Sequence, residues 1–145
     1  AQPAMRSCGP DLDAMLAYSD AALIIGDTAL KASFDDRYRY DLAEEWKMLT
    51  GKPFVFAFWG VRSGANLDDP SVFQQSLAYG ETHLDEIVQQ QSQTLHLPAD
   101  QLHRYLTENI DYTLDQENLE GLRLFYQLAA ETLGMDTTRT VEFVG

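Results

Sequence analysis

Apolar residues follow two rhythms along this chain, and the change falls near residue 60. In the first part, Ala21-Ala22-Leu23-Ile24-Ile25 and Pro53-Phe54-Val55-Phe56-Ala57-Phe58-Trp59 are short, unbroken apolar runs. Runs of this kind are the pattern of parallel strands buried on both faces. The chain between them is long enough for a helical crossover. Two such strands cannot cover their own faces, which predicts a larger sheet with further strands outside these 145 residues. Inside the crossover, Asp41 with Glu44 has the form of a capping box, Leu42, Trp46 and Leu49 share a face, and Gly51 and Pro53 are stop signals. Short helices are also expected over 12–18, after the turn Gly9-Pro10-Asp11, and over 28–34.

From Asp69-Pro70 the apolar spacing becomes helical. Phe73, Leu77, Gly80, Leu84, Ile87, Val88 and Leu95 fall on one stripe, away from Asp85, Gln89, Gln90 and Gln93. A second helix is predicted from Pro98, with Leu102, Tyr105, Leu106 and Ile110. A third, from Asp115, carries Leu119, Leu122, Tyr126, Ala129 and Leu133 and is capped by Gly134. A terminal strand is expected over 140–144. The pattern contains no internal repeat and no low-complexity tract.

Composition narrows the reading. With 45% hydrophobic and 11% aromatic residues the chain is globular, and 145 residues suit one domain or a piece of one. A formal charge of −13 repels nucleic acid and anionic membranes. The single cysteine, Cys8, has no internal disulfide partner and fits a reducing compartment. No run approaches the ~18 apolar residues of a membrane span, and residues 1–7 lack the apolar core of a signal peptide. The chain begins at Ala1 rather than at methionine, as a fragment or a processed product would.

Few residues carry chemistry. His83, His96 and His103 have no recognised metal spacing with one another or with other ligands, so no metal site is expected. Nucleophile elbow, phosphate loop and dinucleotide fingerprint are all missing. Gly26-Asp27 is the best candidate, because a glycine at a strand's carboxyl end lets backbone approach a ligand where α/β sheets bind them. Its competing reading is that Asp27 caps the next helix. Trp59 ends the second run and is either a site residue or ordinary core. Arg62 is either a bidentate grip for a carboxylate or a surface arginine. Glu81, Asp85, Glu86, Glu108, Asp111, Glu117, Glu120 and Glu131 read as solvated helix faces.

At these residues the chain resembles the menaquinone biosynthesis proteins of the futalosine pathway, in the chorismate dehydratase (MqnA) branch. The likeness rests on Asp20-Ala-Ala-Leu-Ile-Ile-Gly-Asp27 with Ala29-Leu30, on Tyr40-Asp41-Leu42 with Glu45-Trp46, and on Leu49-Thr-Gly-Lys-Pro-Phe-Val-Phe-Ala-Phe-Trp59. It continues through Ser76, Gly80, Leu84-Asp85-Glu86-Ile87, Tyr105-Leu106, Ile110-Asp111-Tyr112, Gly121-Leu122 and Phe125-Tyr126. Family proteins are about twice this length, and the chain resembles their later half.

The resemblance implies an α/β fold, the later part of a two-lobed type 2 periplasmic-binding-protein-like architecture. Residues 1–59 would form a strand-helix-strand part of the second lobe and hinge, and 60–145 a helical return packing on the first lobe. It further implies a cytoplasmic lyase that converts chorismate to 3-[(1-carboxyvinyl)oxy]benzoate and water without a cofactor. Asp27 would accept a proton, while Gly26, Asp27, Trp59 and Arg62 would bind the carboxylate substrate. The missing earlier half would supply the rest of the site, so the chain alone would be incomplete. Competing expectations are a non-catalytic small-molecule binding module, and a half-protein that is inactive or completed by a separate chain.

Overall fold

The structure, a computed structural model, describes residues 3–34, 36–62, 64–65 and 68–134. The terminal strand expected over 140–144 lies outside them. Two compact units divide the chain, Ala1–Arg39 and Tyr40–Gly145.

The first unit holds two short helices, α1 (Leu12–Leu16) and α2 (Gly26–Lys31). Asp11 starts α1 by accepting a hydrogen bond from Ala14 N at 2.9 Å. Neither helix has a buried residue. Side-chain pairs across the unit are polar or cationic: Arg37 donates to Asp13 at 2.5 Å, and Arg6 and Arg39 lie over the rings of Tyr18 and Phe34.

The second unit contains α3 (Leu42–Thr50), α4 (Ser71–Thr82), α5 (Leu84–Leu95), α6 (Ala99–Arg104), a π-helical turn (Tyr105–Asn109) and α7 (Gln116–Leu133). The sequence signals at the ends of α3 hold. Asp41 accepts from Ala43 N and Glu44 N, and Gly51 takes φ 73°, the left-handed value that closes the helix. Likewise Asp115 caps α7 and Gly134, at φ 65°, ends it. The stripe expected to form one helix from residue 70 to 95 is broken at His83, whose backbone N donates to both Tyr79 O and Gly80 O. Gly80 and Thr82 are weak helix formers beside that break.

The core is small. Val88, Leu102, Leu119, Leu122 and Ala130 are its buried apolar side chains among the described residues. α5 packs on α6 and on α4. An aromatic cluster joins α3 to α7: Phe54 meets Trp46, Phe56 and Phe125 edge-on, with ring centroids 4.7–5.6 Å apart. Trp46 Nε1 donates to Pro53 O at 3.1 Å. α7 comes so close to this segment that a Cβ on Gly121 would lie 2.2 Å from the same Pro53 oxygen. Lys47 and Lys52 complete the clamp through Glu117 at 3.2 Å and Glu120 at 2.6 Å.

The fold class differs from the sequence expectation. The described residues are helical and contain no β-strand, so the parallel strands, and the α/β two-lobed binding-protein-like architecture built on them, are not found. A strand exists only through its ladder of inter-strand hydrogen bonds. Among the described residues, neither 21–25 nor 53–59 forms such a ladder. Their apolar side chains stand largely in solvent, with Ile25 79% and Phe56 70% exposed. An unbroken apolar run records a demand for burial on two sides, and that demand does not itself supply the neighbours.

Candidate functional site

Gly26 opens α2 with φ 61°, a left-handed conformation in which glycine is unstrained. A Cβ there would meet no atom within 4 Å, so the backbone conformation, and not crowding, favours glycine. Asp27 is exposed in the first turn of α2. The cap position belongs to Ile25, and Asp27 therefore does not serve as the cap that the competing reading assigned to it. Its carboxylate has no hydrogen-bond or ion-pair partner among the described residues. Such a carboxylate remains open to an incoming group.

Trp59 is 80% exposed. Its one ring partner among the described residues is Phe73 on α4, at 4.9 Å and tilted by 38°. Arg62 follows three positions later, exposed and without an ion pair among the described residues. Its carbonyl accepts from Ala65 N at 2.9 Å, and Gly64 takes φ 78° between them. Trp59 and Arg62 thus lie on one short segment of the second unit, whereas Gly26 and Asp27 belong to the first.

Two open clefts among the described residues are lined by none of these four. One, of about 450 Å³, lies in the first unit and includes Asp11, Asp13, Thr28, Lys31 and Arg37. The other, about 420 Å³, surrounds the break between α4 and α5 at 81–86. There His83 stacks on Tyr79 at 3.9 Å, and its Nδ1 donates to Tyr79 O at 2.8 Å. Among the described residues, no group of three or more His, Cys, Asp or Glu side chains is arranged to hold a metal ion.

The sequence reading missed a polar node before α7. Asn118, 8% exposed, donates through Nδ2 to Asp111 Oδ2, Thr113 O and Asp115 Oδ1 at 3.0–3.2 Å. Thr113 N also donates to Asp111 Oδ1 at 2.8 Å. These bonds, the one from Thr113 N foremost, hold the Asp111 carboxyl below the usual carboxylate range. Asp111 is exposed, but it lies in the segment before α7 and not on a helix face. The alternation Asp111-x-Thr113-x-Asp115 ahead of a helix start was the signal available, since Asx turns and caps use that spacing.

Trp59 and Arg62 place an exposed aromatic ring and a guanidinium without an ion pair among the described residues on one segment. The family model described as menaquinone biosynthesis matches residues 1–131, and the chain belongs to that family. Its role accordingly lies in the enzymatic synthesis of menaquinone. No solved structure matches the chain significantly. No helix among the described residues is long and apolar enough to cross a membrane.

Proposed function

We propose that this chain belongs to the chorismate dehydratase branch of its family and acts in removing water from chorismate to give 3-[(1-carboxyvinyl)oxy]benzoate. The observation that carries this reading is the family match, because the matched residues 1–131 include every residue given a role below. The reaction breaks the C–H bond at the ring carbon bearing the ether. That electron pair forms the last ring double bond as hydroxide leaves the neighbouring carbon and departs as water. Aromatisation supplies much of the driving force, so the protein needs to orient a dianion and move protons.

Asp27 is assigned as the proton acceptor. Its support is a carboxylate that is exposed and uncommitted to capping its own helix. Arg62 is assigned to a substrate carboxylate, since a guanidinium without an ion pair among the described residues can bind one in a bidentate pair. Trp59 is assigned to the ring, and Gly26 to close backbone approach beside Asp27.

The test is to incubate chorismate with this chain, and with a version extended upstream from the source DNA, following chorismate loss and aromatic enol ether formation. Product formation is expected. In whichever version is active, Asp27→Asn is expected to lower turnover about 10²- to 10⁴-fold with affinity little changed. Arg62→Glu is expected to weaken affinity about tenfold or more. Unchanged turnover in Asp27→Asn removes the base, and normal affinity in Arg62→Glu removes the carboxylate contact. Binding of chorismate without turnover by either version would return the chain to the non-catalytic binding-module class.

A further inference from the structure

Trp59 combines two properties that rarely coincide. It is 80% exposed, and yet it is fixed from one side by a ring 14 positions away in the chain, Phe73, at 4.9 Å and 38°. Phe73 itself is partly buried and sits in the first turn of α4, an element that packs on α5. A free surface tryptophan samples several rotamers. Contact with Phe73 selects among them and leaves the opposite face of the indole open. Arg62, without an ion pair among the described residues, lies on the same segment.

We infer that Phe73 is a positioning residue that presents the free face of Trp59 as a platform for a flat, six-membered carboxylate ring. The inference rests on the assignment of Trp59 to ring binding and adds a selectivity to it. A planar ring stacks over its whole face on indole, whereas a puckered ring touches it at a few atoms. The ring of chorismate flattens as water leaves, so a platform of this kind favours the reacting ring as it becomes aromatic.

The experiment measures the affinities of benzoate and cyclohexanecarboxylate for the full chain and for Trp59→Ala, Phe73→Ala, Phe73→Leu and Phe73→Tyr, with helix content checked for each by circular dichroism. The unaltered chain is expected to prefer benzoate by about three- to tenfold, the usual range for an aromatic pair. Trp59→Ala should abolish that preference, Phe73→Ala and Phe73→Leu should reduce it toward unity, and Phe73→Tyr should retain it. Should Phe73→Ala fail to fold, Phe73→Leu against Phe73→Tyr carries the same comparison. Loss of the preference in Trp59→Ala but not in Phe73→Leu overturns the role of Phe73 alone. A preference that survives Trp59→Ala, or one absent from the unaltered chain, overturns the assignment of Trp59 as well.

Discussion

Single residues in this chain do their work through backbone geometry or through the charge they hold. Gly121 is the clearest case of the first kind. A methyl group there would stand 2.2 Å from the Pro53 carbonyl oxygen, which is backbone and already accepts from Trp46. Gly121→Ala is expected to destabilise the protein by about 1–3 kcal/mol through overpacking, outweighing the ~1 kcal/mol that alanine usually adds to a helix. A denaturant titration decides it, and a more stable variant would mean that α7 stands away from Pro53. Asp111 is a case of the second kind. Its pKa is lower in the folded protein than in the unfolded chain because Thr113 N and Asn118 favour the carboxylate. The charged form therefore stabilises the fold above about pH 4, and that contribution fades as the pH falls through the depressed value. Asp111→Asn is expected to lower stability at pH 7 and to matter progressively less toward pH 2. Urea melts of both proteins across that range test this, and a constant difference would show that the charge plays no part. The sequence displayed both residues but neither role, since each depends on what faces it across the fold.

Helices were the legible part of the sequence, because their ends are written locally. Asp41 and Gly51 around α3, and Asp115 and Gly134 around α7, are read from residue type and spacing alone. The break at His83 was less legible, since the apolar stripe runs through it without interruption. The two apolar runs were misread, because strand pairing depends on residues far away in the chain. Elements also differ in how firmly they are held. α7 buries five residues and is clamped through Lys47, Lys52 and the aromatic cluster. α1 and α2 bury none. Amide hydrogen exchange is expected to find protected positions in the middle of α7 and α5, and fast exchange throughout 12–16 and 26–31. Equal protection in all four helices would show that α1 and α2 have support their side-chain burial does not reveal.

At the scale of the whole molecule, large apolar side chains in solvent recur along the described residues. Leu23, Ile25, Phe56 and Trp59, all from the two apolar runs, are among its large exposed side chains. Strong binding of a hydrophobic dye by the native chain is expected, and dye fluorescence no higher than that of an ordinary globular protein would contradict this surface. The sequence by itself determined the caps of α3 and α7, the charge of −13, and membership of the menaquinone-biosynthesis family through residues 1–131. Each of these is carried by residue type, or by neighbours within a few positions. Only the tertiary structure decided that the two apolar runs remain unpaired, that Trp59 faces solvent with Phe73 behind it, and that Asn118 gathers Asp111, Thr113 and Asp115. Burial and pairing join residues distant along the chain, and no local pattern specifies the partner.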